Sequence, residues 1–172
     1  MNDKLKKIIN NFAFEGILEE VVENNQGNIN KTYILTYTND NKQVKYLLQK
    51  INSNVFNEPY LVMRNIELVT NHISKKLKDA DDYNHKTLTI VKTNDGLNMY
   101  TYINEDGEKE YYRAFHFIDN CISYDNFKDS DDALKLAYET GKSFGYFQRL
   151  LNDFSPSLLT ETITDFHNTK KR

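Results

Sequence analysis

Cysteine occurs once in these 172 residues, proline twice and tryptophan not at all. With Cys121 alone, no intramolecular disulfide or cysteine metal cluster can form, which fits a reducing, cytoplasmic compartment; the residue itself reads as a small buried hydrophobe. No segment approaches the roughly 18 apolar residues of a membrane span, and residues 1–11 lack the continuous apolar core of a signal peptide. A soluble chain with no membrane partner is the expectation. Nor is there an excess of positive charge: 22 Lys+Arg against 25 Asp+Glu give −3 with both signs interspersed, which argues against a nucleic-acid partner. No internal repeat and no low-complexity linker interrupts the chain, whose length suits one domain or slightly more.

What is present centres on a hairpin pattern. The turn Gln26-Gly27-Asn28-Ile29-Asn30 leads into the run from Lys31 to Tyr37, and the polar stretch from Thr38 to Lys42 leads into the run from Val44 to Asn52. Both runs carry the β-branched and aromatic residues that antiparallel strands favour. Upstream, Leu5, Ile8, Ile9 and Phe12 fall at helical spacing over residues 3–12, and residues 17–23 read as a first strand. Downstream, Asn57 and Pro59 suit a helix start, and Leu61, Val62, Ile66, Val69, Ile73 and Leu77 form an apolar stripe along a helix from 59 to 78.

Residues 87–93 and 99–103 alternate as strands about Asn94-Asp95-Gly96, which predicts a second hairpin, and residues 110–118 read as a further strand after Glu105-Asp106-Gly107. Ser130, Asp131 and Asp132 suit the start of a helix running to about residue 152. Within it Gly141 and Gly145 each cost about 1 kcal/mol of helix propensity relative to alanine, which predicts close packing of another element against that face. Pro156 ends the pattern before a mixed tail to Arg172.

The order of these elements and four blocks of sequence resemble a known family. Gly27-Asn28-Ile29-Asn30-Lys31-Thr32-Tyr33, residues 46–56, residues 63–70 and Asp165-Phe166-His167-Asn168-Thr169 together are similar to the N-acetylhexosamine 1-kinase branch of the aminoglycoside phosphotransferase family. The resemblance implies an α+β fold. Residues 1–119 would form a protein-kinase-like N-terminal lobe, an antiparallel five-stranded sheet with one inserted helix, and residues 120–172 a hinge and the first helix of a C-terminal lobe. It also implies ATP and magnesium as cofactors, and phosphoryl transfer to a hydroxyl of an amino-sugar substrate.

By the same resemblance, Gly27, Asn28, Ile29 and Asn30 would cover the nucleotide's phosphates, because glycine lets a backbone approach closely. Gln49 or Lys50, which point to opposite faces of one strand, would make the side-chain contact to the phosphates, with Glu67 on the following helix as partner. Backbone groups of His116, Phe117 and Ile118 would meet the adenine edge, and His167 would approach the sugar.

The chain also departs from the family pattern. Asn28 and Gln148 stand where relatives carry histidine, and neither the His-Gly-Asp catalytic loop nor the later metal-binding aspartate occurs before Arg172. The resemblance therefore implies no catalytic residue and no magnesium ligand in this chain, which reads as an N-terminal fragment, inactive alone, of such a kinase. An uncovered apolar face around Gly141 and Gly145 would then favour self-association. Two other classes remain: a non-catalytic binding or scaffold module, and a carbohydrate enzyme of the kind named mucin desulfatase among relatives, which would need a sulfatase-signature cysteine or serine that the chain lacks.

Overall fold

The computed structural model describes residues 2–78, 87–119, 121 and 131–171. The elements are α1 (Asp3–Ile9), β1 (Ile17–Asn24), β2 (Lys31–Asn39), β3 (Lys42–Ile51), α2 (Pro59–Leu77), β4 (Ile90–Val91), β5 (Tyr100–Ile103), β6 (Lys109–His116) and α3 (Asp131–Leu150), followed by a 3-10 turn at Pro156–Leu158. The fold is α+β: six antiparallel strands in the order β1-β2-β3-β6-β4, with β5 also paired to β6.

Register begins at the tight turn between β2 and β3. Asp40 (φ 47) and Asn41 (φ 60) take the left-handed backbone that a two-residue hairpin needs, and Asp and Asn are among the few non-glycine residues that adopt it at low cost. Asn39 thus faces Lys42, which sets Ile34 opposite Leu47 and Thr32 opposite Gln49. Side-chain alternation then gives the sheet two faces. On one, Leu35, Tyr46, Leu48 and Ala114 pack with Ile8 and Ile9 of α1 and with Phe12 just beyond it. On the other, Ile51 and Tyr111 pack with Met63 and Ile66 of α2.

The helix α3 meets α2 through its C-terminal turns, where Leu150 and Tyr146 join Val69, Ile73 and Leu77. Beyond it the tail is tied to α2: the Asn65 amide donates to the Thr160 carbonyl at 2.6 Å and accepts the Thr160 N–H at 3.1 Å, and Arg64 donates to the Leu158 carbonyl at 2.9 Å.

Several features differ from the sequence pattern. The sheet has six strands, one for each of the six strand-like runs of the sequence, where the resemblance implied five. The turn at Gly96 exists, with the Gly96 N–H bonded to the Thr93 carbonyl, but it does not close a hairpin. Instead β4 and β5 sit end to end along one edge of β6, β4 against Phe115 and Ala114 and β5 against residues 109–112. α1 stops at Ile9, and Phe12 instead bridges to Thr93. Cys121 is exposed, not buried. A Cβ added at Gly141 or Gly145 would meet nothing within 4 Å, so among the described residues no element packs closely there. Leu134, Tyr138 and Phe144 of α3 are exposed. The expected cap at Ser130 lies outside the described residues.

Candidate functional site

The α2 side of the sheet carries two adjacent cross-strand rows of opposite character. Val22 faces Ile34, Ile34 faces Leu47 and Leu47 faces Phe115, an apolar row across β1, β2, β3 and β6. Two residues along each strand, about 7 Å away, Asn24 faces Thr32, Thr32 faces Gln49 and Gln49 faces Arg113. Val22 is 45% exposed, and Ile34 and Leu47 are half-buried and lie outside the packed cores. The polar row ends at the β1–β2 turn that holds Gly27 to Asn30. Past the apolar row lies the segment leaving β6, residues 117–119.

Hydrogen bonds knit the polar row to the turn. Arg113 Nε donates to Gln49 Oε1 at 3.0 Å, Gln49 Nε2 donates to Thr32 Oγ1 at 3.1 Å, and the Thr32 hydroxyl donates to the Asn30 carbonyl at 3.4 Å. The Asn30 side chain in turn accepts the Asn52 N–H at 3.0 Å, while Asn52 Nδ2 donates to the Ile29 carbonyl at 3.3 Å. The Arg113 guanidinium also lies over the Phe115 ring, 5.4 Å from its centroid. Burial lowers its pKa to about 10, so it is charged at neutral pH.

Of the two strand candidates, Gln49 therefore lies on the α2 face and Lys50 on the α1 face. Lys50 Nζ is 2.8 Å from Glu110 Oε1, Lys4 Nζ is 2.7 Å from Glu110 Oε2, and the Tyr112 hydroxyl donates to the same carboxylate at 2.8 Å. Burial alone would raise the Glu110 pKa, but the hydrogen bonds from Lys4, Lys50 and Tyr112 outweigh it and hold the carboxyl at about 2. Burial, together with the hydrogen bond to the same carboxylate, pushes the Tyr112 hydroxyl far above its ordinary value. Glu67 does not meet Lys50: its carboxylate lies 3.6 Å from Lys92. The lysine–glutamate pair implied by the resemblance is replaced by one between β3 and β6.

The turn needs no glycine for its own backbone. Gly27 has no positive φ, and a Cβ there would lie 3.7 Å from the Asn30 carbonyl, an ordinary contact. Ile29 is half-exposed and borders an open cleft of about 610 Å³ that also involves Lys31, Lys50, Asn52 and Glu110. Lys31 is engaged by Glu23 at 3.0 Å, and its pKa is raised by that hydrogen bond.

At the other end, the His116 N–H bonds to the Thr89 carbonyl and the Phe117 N–H to the Lys45 carbonyl, so two of the three expected adenine-edge donors are used within the sheet. The His116 ring packs on Tyr46, on the α1 face. Ile118 instead borders an apolar cavity of about 490 Å³ between α2, α3 and the tail, with Ile66, Val69, Ile73 and Phe147. His167 is exposed, packs against Phe166 and lines a separate cavity of about 530 Å³ formed by Asn65 and residues 159–168. Neither row borders that cavity. Among the described residues no group of three His, Cys, Asp or Glu is placed to hold a metal ion. No helix among them is long and apolar enough to cross a membrane.

Sequence reasoning did not single out Arg113, Val22, Ile34 or Leu47. The last two were within reach, since the Asp40-Asn41 turn fixes their pairing; Arg113 was not, because the β3–β6 register spans more than sixty residues of chain. No family model matches the chain.

Proposed function

We propose that this chain is the nucleotide-binding part of an ATP-dependent small-molecule kinase, of the protein-kinase-like type, acting on an amino sugar of the N-acetylhexosamine class. The observation that carries the nucleotide reading is the pair of in-register rows. A partly exposed apolar row is suited to the face of a base, and beside it a polar row with a guanidinium ends at a backbone turn. The order along the strands, exit segment, apolar row, polar row, turn, is the order in which adenine, ribose and phosphates would lie. The amino-sugar class rests on the four blocks of sequence, above all on Asp165-Phe166-His167-Asn168-Thr169. Magnesium accompanies ATP in such chemistry and neutralises phosphate charge. The described residues provide no cluster of His, Cys, Asp or Glu for it. The sequence contains no His-Gly-Asp, so binding rather than turnover is the property to measure.

Calorimetric titration of the chain with adenosine and with ATP tests this reading. Adenosine should bind, ATP should bind more tightly, and Leu47→Asp, which places charge in the apolar row, should abolish both. If the folded chain binds neither at millimolar concentration, the nucleotide reading falls.

The exposed apolar residues of α3 favour a second reading, a non-catalytic module that associates with its own copies through this face. Sedimentation that stays monomeric across a hundredfold concentration range would dismiss it.

A further inference from the structure

Arg113 is a cation in an unusual position. Its side chain is largely withdrawn from water on the interior of the sheet face, yet the contacts it makes are to a neutral amide and an aromatic ring. Among the described residues no carboxylate pairs with it, and burial lowers its proton affinity. A desolvated guanidinium is costly unless an anion meets it. Nε is committed to Gln49, which fixes the plane of the group, while the two terminal Nη nitrogens have no protein partner among the described residues. That is the fork that binds a phosphate bidentately.

The geometry points to Arg113 as the residue that receives the anionic, phosphoryl end of a ligand on this face, with Gln49 and Thr32 as the positioning relay that aims it. This rests on the nucleotide reading above and names the contact within it. Lys50 is excluded from the role because it lies on the opposite face and is held by Glu110. Lys45 also lies on the α2 face near the apolar row, but it is opposite Thr36, on the side of the exit segment and away from the Gly27–Asn30 turn. The turn and the guanidinium share a hydrogen-bonded path, Arg113 to Gln49 to Thr32 to Asn30, so a phosphate bound at Arg113 lies at the turn end of the sheet face.

The test separates the two ends of the ligand. Adenosine, ATP and inorganic triphosphate are each titrated into the whole chain and into Arg113→Gln, Arg113→Lys, Lys45→Gln and Lys50→Gln, with thermal melting to establish folding. The expected result is that Arg113→Gln loses about tenfold or more in ATP affinity and all triphosphate binding while adenosine affinity is unchanged, and Arg113→Lys keeps part of the difference as a point charge. Gln49→Leu, which leaves the guanidinium unaimed, should lose a smaller factor for ATP alone. Two outcomes overturn the inference while leaving the nucleotide reading intact. One is Arg113→Gln binding ATP like the parent. The other is Lys45→Gln or Lys50→Gln, rather than Arg113→Gln, removing the advantage of ATP over adenosine. Should Arg113→Gln fail to fold, the parent decides alone: its ATP affinity should fall with added salt while its adenosine affinity does not, and equal salt dependence overturns the inference. A parent that binds neither adenosine nor ATP overturns both proposals together.

Discussion

Glu110 on β6 holds Lys50 on β3 at 2.8 Å, from a side chain only 10% exposed, on the α1 face where the strand register places both. Lys4 of α1 closes on the other oxygen of the same carboxylate at 2.7 Å, so one buried acid ties the N-terminal helix to two strands. The nearest consequence is a dependence of stability on acid. The Glu110 carboxyl sits at about 2 in the fold against an ordinary 4.5, so its contribution is complete above the ordinary value and is lost as pH falls from there through about 2. Thermal melts between pH 6 and pH 2 should fall through this window more steeply for the parent than for Glu110→Gln. At neutral pH that variant should be less stable by roughly 1–2 kcal/mol, a figure kept modest because both lysines are more than a third exposed and screened by solvent. Parallel pH profiles would contradict the assignment.

Gly27→Ala separates the demands of the backbone from those of a ligand. Since the added Cβ meets only an ordinary contact and the backbone is not left-handed, the melting temperature should hold within a degree or two of the parent. ATP affinity should nevertheless fall, because a methyl group stands where the turn would approach phosphate. Unchanged ATP affinity would remove this turn from the binding face.

Gly16 and Gly141 should respond in opposite directions to the same change. At Gly16, φ is 97 and a Cβ would lie 2.4 Å from the Thr38 carbonyl oxygen, so Gly16→Ala should cost about 1–3 kcal/mol in chemical denaturation. Gly141→Ala and Gly145→Ala enter open space on a helix and should each stabilise by roughly 0.5–1 kcal/mol. A loss at either helical glycine would mean that something does close on that face.

Asn65 holds the tail as a strand neighbour would, giving and accepting one hydrogen bond with Thr160. Asn65→Ala leaves both Thr160 groups unpaired and should release residues 155–171 to limited proteolysis and faster amide exchange, while exchange in β3 and β6 stays slow. Uniform loosening of sheet and tail alike would show that the pair supports the whole fold instead.

Local chemistry made much of this architecture readable. Alternation in residues 31–37 and 44–52 and the periodic stripe of α2 located β2, β3 and α2 to within a few residues, because each buries one face and shows its period. The β4–β5 hairpin was misread for a physical reason: Asn-Asp-Gly encodes a turn wherever it stands, but whether the flanking runs pair with each other or both with β6 is decided by the edge that β6 offers. The glycines of α3 misled similarly, since low helix propensity is visible in sequence and an empty neighbourhood is not. At the candidate site, Gln49 and Lys50 could be told to face apart, yet which face held α2 depended on tertiary packing, and Arg113 acquires meaning only beside Gln49 across a long-range strand pair.

The two-residue turn at Asp40 and Asn41 has an evolutionary consequence. Tyr46 and Leu48 are locked in the core by the register that this turn sets, so β3 cannot slip by one residue to bring Lys50 round without expelling them. A lineage seeking a lysine in the polar row of the α2 face would have to recode position 49 itself, and the codons of glutamine and lysine differ by a single base. The substitution is always one mutation away, and what opposes it is the guanidinium across the strand, which would trade its amide acceptor for a like charge.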